Sequence, residues 1–271
     1  MSDAKKRVLI AGANSYVARS FQNLCRDRFD CEAISVRNNA WRDLDLSSYN
    51  AVLWCAAMVH QKQRKEERER WFAVNRDLPA AFAKTASAAG VRRFVFLSTM
   101  AVYGQDEGVI DPNQAPAPKA GDFYAQSKWE AEQNLRALED GRFSVAVLRP
   151  PIIAGEGAPG NNRRLERLVR LLPFFPDYPN ARSVCPIEIL CEIIAQIIEA
   201  EGAPQTGSGA SMYPVVSTAE LAREIAARQG RALRFTPAFN PLIRRLIPRS
   251  KALRKLFGTL CYADRPCIIN L

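Results

Sequence analysis

Over its first 150 residues the chain alternates short β-rich apolar runs with longer stretches of helical periodicity. This alternation constrains the fold more than any other feature. Strand-like runs fall at 7–11, 31–36, 51–56, 92–97 and 143–148, with helical patterns between them at roughly 15–28, 66–89 and 124–139. Strands joined by helix-length crossovers pair in parallel, with the helices covering the faces of the sheet. The pattern predicts an α/β fold, a doubly wound parallel sheet, over residues 1–150.

After Pro150-Pro151 the character changes. Prolines at 159, 173, 176, 179, 186, 204 and 214 divide the chain into short pieces, with the best helical patterns at 187–200 and 218–229. Residues 151–271 read as a smaller, partly helical substrate-binding region, interleaved with the sheet rather than tethered by a linker. The tail PLIRRLIPRSKALRKLFGTL (241–260) places Leu and Ile among Arg and Lys at helical spacing. A helix lying on a membrane surface is one reading. Packing against the body is preferred, because Pro248 interrupts the pattern. The run QKQRKEERER (61–70) reads as a solvated helix start or loop. Residues 106–121, rich in Pro, Gly and Asp, read as a loop long enough to serve a site.

At about 150 residues per domain, 271 residues make two units or one large one. With 48% hydrophobic and 24% charged residues, disordered, collagen-like and small disulfide-stapled classes are excluded. No apolar run reaches the roughly 18 residues of a membrane span. MSDAKKR leads directly into a strand-like run too short for a signal-peptide core, so a cytoplasmic location is expected. Lys plus Arg (38) exceed Asp plus Glu (28) by ten. The basic residues are spread without a pure Lys/Arg block, which favours a phosphate-bearing small ligand over nucleic acid. The cysteines (25, 31, 55, 185, 191, 261, 267) form no CxxC pair and the lone histidine is His60, so no zinc site is expected and the thiols read as reduced. A hydrolase with a histidine base would have to use His60 itself.

Three motifs carry chemistry. VLIAGANSYVA (8–18) is a strand running into a turn and a helix, and a pyrophosphate binds the exposed N–H groups at such a helix start. Only Gly12 of the usual glycines is present; Ser15 and Ala18 occupy the later positions. After the second strand stands Val36-Arg37-Asn38, where NAD-binding domains carry an acid for the ribose. Arg37 suits the 2′-phosphate of NADP, or is a surface arginine; Asp43-Leu44 lies where the adenine amine could be bonded. The third motif is Ser98-Thr99 followed by Tyr124-Ala-Gln-Ser-Lys128. Residues four apart share a helix face, so the phenol and ammonium point into one site. The ammonium is expected to lower the phenol pKa from about 10 and make it a proton acceptor. A Ser or Thr at the preceding strand end can relay the proton.

These motifs resemble the extended short-chain dehydrogenase/reductases, in particular their NAD-dependent epimerase/dehydratase branch acting on nucleotide sugars. The resemblance rests also on WCAA (54–57), VNRDLPAAF (74–82), GVRRFVFLSTMAVYG (90–104), YAQSKWEAE (124–132) and VLRPPIIAGEG (147–157). It implies a Rossmann-like domain and Thr99, Tyr124 and Lys128 as the catalytic set. It further implies that Gly12, Ser15, Tyr16 and Val17 hold the pyrophosphate, that Ala56 and Ala57 line the adenosine–nicotinamide cleft, and that Asn14, Ser98 and Pro150 complete the cofactor contacts. Asn75 would keep the active-site helix and cofactor in register, and Arg182, with Asn161 or Asn162, would grip the diphosphate of a nucleotide sugar. Dimerisation through helices at 66–89 and 124–139 is the family habit. The acid–base pair of the family's dehydratases is replaced by Met100 and Ala101, which disfavours water loss.

The expected activity is an NAD(P)-dependent nucleotide-sugar 4-epimerase acting through a 4-keto sugar in polysaccharide biosynthesis. The alternative is an NADPH-dependent 4-keto-sugar reductase. A binding protein that only senses NAD(P) has no use for a phenolate base, and a membrane-surface enzyme on lipid-linked sugars is suggested only by the tail.

Overall fold

The computed structural model describes residues 5–59, 61–201, 213–263 and 268–270. His60, Cys267, Pro204 and the first four residues, which entered the readings above, lie outside them.

In chain order the elements are β1 (Lys6–Ala11), α1 (Tyr16–Leu24), β2 (Phe29–Ile34), β3 (Ala51–Trp54), α2 (Arg68–Phe72), α3 (Leu78–Ala88), β4 (Arg93–Leu97), β5 (Gly108–Ile110), α4 (Phe123–Arg136), β6 (Ser144–Leu148), β7 (Ile152–Ala154), α5 (Asn161–Leu171), β8 (Phe174–Pro176), β9 (Arg182–Pro186), α6 (Ile187–Glu199), β10 (Val215–Val216), α7 (Thr218–Arg228), β11 (Arg234–Thr236), α8 (Asn240–Leu246), α9 (Lys251–Phe257), β12 (Leu260–Tyr262) and β13 (Ile268–Asn270). The five expected strands of the first half are present, most within two residues of their expected ends.

The main sheet has the order β13-β6-β4-β3-β1-β2, parallel throughout except for β13, which runs antiparallel to β6. Alternation within β1 divides the core. Val8 and Ile10 join one cluster with Phe21 of α1 and Leu190 of α6; Leu9 and Ala11 join the other with Trp54, Phe82 and Phe94. From β1 the chain steps outward to β2 and then returns past β1 to β3, so the direction of winding reverses between β1 and β3. Ligands of open α/β sheets bind in the crevice at such a reversal, beyond the carboxyl ends of the strands.

The expected helix at 66–89 is two helices, α2 and α3, separated by a π-turn over Ala73–Asp77. Extra turns of this kind re-aim a side chain, and here the residue inside it is the fully buried Asn75. Residues 61–70 are almost all exposed, as a solvated helix start requires. The stretch 106–121 is not wholly a loop, since it contains β5, and Pro112 accepts the Tyr103 hydroxyl at 2.9 Å.

The smaller lobe holds a second sheet, β10-β9-β12-β5, with β7 also paired to β9, and the two-stranded ribbon β8–β11. Residues on both sides of 150 contribute to both sheets. Helix α6 packs on α1, β13 closes the main sheet, and β12 pairs with β5 from the first half. The 241–260 tail packs on the body: Ile243, Ile247 and Phe257 sit against Leu165, Val169 and Phe175, with Pro248 in the break between α8 and α9. Among the described residues no helix is long and apolar enough to cross a membrane and no cluster of metal-ligating side chains occurs.

Candidate active site

The crevice between β1 and β3 is shaped by Gly12. Its φ is +112°, and a Cβ there would lie 2.7 Å from the backbone nitrogen of Ala56, so only glycine lets the two strand ends approach. The amides of Gly12 and Ala13 both donate to Ile34 O, at 2.9 and 3.0 Å, tying the turn to the end of β2. Ser15 caps α1 by accepting the Ala18 amide at 3.0 Å. Its hydroxyl does locally what a glycine in that position does not, while the fully buried Ala18 keeps the helix close to the sheet. Val17 is buried and presents only its backbone; Asn14 is exposed beside the turn. Tyr16 leans on the smaller lobe, where a Cβ on Gly155 would come within 2.4 Å of its hydroxyl. Burial raises its pKa, and nearby Glu188 adds to this. Tyr16, Arg19, Ser20, Asn23, Glu156 and Gly157 line an open depression of about 300 Å³.

Ala56 and Ala57 follow β3 after Cys55 and are partly buried, Ala56 against Gly12. Arg37 is exposed three residues beyond β2. Asp43 and Leu44 end a short 3-10 turn and are also exposed. The Gly12 turn and Ala56 thus form the two sides of one crevice. The close backbone approach fits a dinucleotide: the Tyr16 and Val17 amides at the start of α1 have no acceptor within the helix, and its first turn holds no acidic residue.

Helix α4 begins where Asp122 accepts the Ala125 amide at 3.1 Å, and Gln63 bonds both Asp122 and the Tyr124 amide. Tyr124 and Lys128 lie one turn apart. The Tyr124 hydroxyl faces the Thr99 side chain, and its ring meets the buried Trp71 edge-on at 6.3 Å between centroids. Thr99 Oγ1 also accepts the Ala101 amide at 3.2 Å, which fixes its rotamer. The fully buried Lys128 ammonium donates to Leu97 O at 2.7 Å and lies 4.4 Å from the centre of the Phe96 ring. Burial pulls its pKa down to about 8, against the raising influence of Cys55 and Glu132. Burial pushes the Tyr124 phenol up to about 12, with the Thr99 side chain pulling the other way and Asp122 adding to the rise. The expected lowering of the phenol by Lys128 is therefore corrected for the isolated chain: the ammonium is engaged by Leu97, and desolvation dominates.

Ser98 and Thr99 separate. Consecutive residues of an extended strand point to opposite faces, and Ser98 turns its hydroxyl to the buried carboxylate of Glu132 while Thr99 faces Tyr124. As a cofactor contact Ser98 has only its backbone to offer, and its amide donates to Leu148 O at 2.7 Å. Pro150 is buried and accepts the Met100 amide at 3.1 Å. Asn75 accepts the Met58 amide at 2.8 Å and donates to Met58 O at 3.1 Å and to Ser127 Oγ at 3.2 Å, linking the loop after β3 to α4 beside Lys128.

Arg182 on β9 is buried and donates to Gly258 O at 2.8 Å; burial lowers its pKa, and its Nε has no protein partner. Asn161 is exposed at the start of α5. Asn162 is buried and donates to Gly155 O at 3.2 Å. No hydrogen bond among the described residues joins either asparagine to Arg182.

Several residues escaped the sequence reading. Glu132, fully buried, pairs with Arg149 through Nε at 3.1 Å and Nη2 at 2.5 Å, and Arg149 Nη1 donates to the Tyr103 hydroxyl at 2.9 Å. The available signal was position: Glu132 is one turn beyond Lys128 on the buried face of α4. Cys55, bonded to the Ser15 side chain and near Lys128, is held as a neutral thiol, burial pushing it up to about 12.

The sequence profile of the NAD dependent epimerase/dehydratase family matches residues 8–172. A UDP-glucose 4-epimerase of Vibrio cholerae is 33% identical over 232 residues, covering 80% of this chain and 70% of the relative. The chain belongs to the NAD dependent epimerase/dehydratase family. It is an enzyme of the extended short-chain dehydrogenase/reductase class. A second relative, an N-acetyl-alpha-D-glucosaminyl-diphospho-ditrans,octacis-undecaprenol 4-epimerase of Escherichia coli O157:H7, is 30% identical over 133 residues, 46% of this chain and 38% of its own. Among solved structures, the UDP-glucuronic acid 4-epimerase of Bacillus cereus in complex with NAD superposes with a TM-score of 0.67 at 14% identity, over 96% of this chain and 90% of that one. A dTDP-4-dehydrorhamnose reductase from Clostridium acetobutylicum gives 0.65 at 20%, over 86% and 83%. At these identities the two structures establish the fold.

Proposed function

We propose that the protein is an NAD(P)-dependent nucleotide-sugar 4-epimerase that works through a 4-keto sugar. The observation that carries the reading is the Tyr124 hydroxyl facing Thr99, with Lys128 one turn along the same helix, beside the carboxyl end of β4. The relationship to the Vibrio cholerae UDP-glucose 4-epimerase over most of both chains supports it.

NAD(P), when bound, supplies acceptance and return of the C4 hydride. In the proposed reaction Tyr124 takes the proton of the C4 hydroxyl and later gives it back. Thr99 bonds the same oxygen and holds it in line with the phenol. Lys128, one turn along α4 and held by the Leu97 carbonyl, would be the ammonium available to the bound cofactor and to a developing phenolate. Gly12, Asn14, Ser15, Tyr16 and the Val17 backbone would hold the pyrophosphate, and Ala56 and Ala57 the wall of the cleft. Arg182, with an unpartnered Nε, is the side chain best suited to the diphosphate of the sugar nucleotide. Met100 and Ala101, where dehydratases carry an acid and a base, leave no group for eliminating water. The two helical stretches expected to form a dimer, α2–α3 and α4, pack on one another along one side of the sheet, and twofold association through them belongs to the same reading.

One observation favours a second reading. Arg37 is exposed at the end of β2, where it suits the 2′-phosphate of NADP, and exchangeable NADPH fits a 4-keto-sugar reductase. Nucleotide released on denaturing the purified protein separates them. Stoichiometric NAD supports the epimerase; an empty site that prefers NADPH supports the reductase; failure to bind either dinucleotide would overturn both.

A further inference from the structure

Residues 225–263 contain nine lysines and arginines and no aspartate or glutamate, nearly the whole of the net charge of +10. Much of this stretch frames an apolar surface. Of the eight large hydrophobic side chains exposed among the described residues, four belong to this part of the smaller lobe: Leu171, Phe174, Phe239 and Leu242, the first 63% and the last 57% exposed.

The local geometry places them together. In the β8–β11 ribbon Phe175 and Phe235 point inward, their ring centroids 5.9 Å apart, so alternation turns Phe174 and its paired neighbour Arg234 outward. β11 runs straight into the turn at Pro237–Phe239, which lies against β8, and Asn240 fixes the start of α8 by donating to Asp177 O at 2.9 Å. On α8 and the turn after it, Ile243 and Ile247 face the core. Phe239, Leu242, Arg245 and Arg249 follow at helical spacing on the exposed side. Beside Leu171, Arg170 and Arg231 line an open depression of about 610 Å³, with Arg231 anchored to Leu172 O at 2.7 Å. No carboxylate among the described residues pairs with Arg234, Arg244, Arg245 or Arg249.

We propose that this face seats the protein on an anionic lipid bilayer, with Phe239 and Leu242 entering the headgroup layer and the arginines on the lipid phosphates. Exposed apolar side chains interleaved with unpaired cations match such an interface, where burial and attraction to anionic lipid act together. Association of two copies through this face would set two cationic surfaces against each other. Nucleic acid would engage the arginines but leave Leu171 and Leu242 without a partner. The inference uses no residue of the Tyr124 site and stands apart from the epimerase or reductase reading.

The test is co-sedimentation of the full chain with vesicles of phosphatidylcholine, alone or mixed equally with phosphatidylglycerol, at low and raised salt. The proposal expects partitioning about tenfold stronger on the anionic vesicles. It also expects a comparable loss for Phe239→Ser with Leu242→Ser, and a flattened salt dependence for Arg244→Ala with Arg245→Ala, all with unchanged thermal melting and unchanged dinucleotide binding. Equal partitioning on both vesicle types would overturn it. So would variants that bind as the parent does, a halved mass in solution for the Phe239/Leu242 variant, or tighter binding to a single-stranded RNA homopolymer that ignores those two substitutions.

Discussion

Tyr124 carries the proposed chemistry alone, because Thr99 positions and Lys128 is engaged by Leu97. Replacing Tyr124 with Phe removes one oxygen from a site whose ring packing is set by Trp71, so the fold and dinucleotide affinity should persist while turnover falls by about 10³-fold or more. Thr99→Val should cost about 10–10²-fold in kcat with little change in KM; steady-state kinetics on the folded variants checks both. Lys128 makes a pH prediction. Its folded pKa, about 8, lies below the unfolded value near 10.5, so between those limits the unfolded chain binds more protons and stability rises with pH. A Lys128→Met variant should lose that rise. Denaturant unfolding of both proteins at pH 7 and pH 9.5 measures the difference, expected at about 3 kcal/mol or less. A parent whose stability relative to the variant is flat over that range would contradict the buried, deprotonation-prone lysine. Gly12→Ala should abolish dinucleotide binding, since its Cβ meets the Ala56 backbone at 2.7 Å; titration fluorimetry reads this directly.

Between elements, the site is held by two buried polar links. Glu132 of α4 and Arg149 at the end of β6 form an ion pair that also fixes Ser98 and Tyr103. Removing one partner leaves a buried charge uncompensated, so Glu132→Ala should destabilise by about 3–5 kcal/mol, whereas Glu132→Met with Arg149→Met should lose clearly less than the sum of the single changes. A double-mutant cycle by denaturant unfolding decides it; simple additivity would contradict the pairing. Asn75 in the π-turn is the second link, and Asn75→Ala should cost about 2–3 kcal/mol through the unsatisfied Met58 groups. Much of this level was readable. Short apolar runs located the five parallel strands of the main sheet but not β13, and the Tyr-to-Lys spacing located the helix face. The split of Ser98 from Thr99 follows from strand alternation but was not drawn from the dipeptide. The Glu132–Arg149 pair was not legible, since nothing in either segment names a partner 17 residues away.

At the scale of the whole molecule, the second sheet is where sequence reading stopped. Its strands are two to five residues long and come from 108–110, 152–154, 182–186, 215–216 and 260–262, so pairing across 150 residues, not local pattern, creates them. The region read as 151–271 reaches the first half through β12, paired with β5, and β13, paired with β6. Strand β12, next to β9 and β5, makes the last segment part of both halves, and the tail read as packing on the body does so through Ile243, Ile247 and Phe257 while leaving its opposite side cationic and apolar. The candidate dinucleotide crevice, by contrast, lies where the winding of the main sheet reverses, and its place in the chain was marked by the strand, Gly12 turn and helix of residues 8–18.

The central claim is inversion at C4 of a nucleotide sugar with Tyr124 as the proton-transfer group. The most direct measurement incubates the purified protein and its Tyr124→Phe variant with NAD and UDP-sugars carrying deuterium at C4, followed by NMR of the sugar. The account expects the parent to interconvert the C4 epimers with the deuterium retained at C4, and the variant to leave the sugar unchanged. Equal conversion by the variant, or a protein that binds NAD and the UDP-sugar yet inverts none of the C4 epimer pairs, would contradict it.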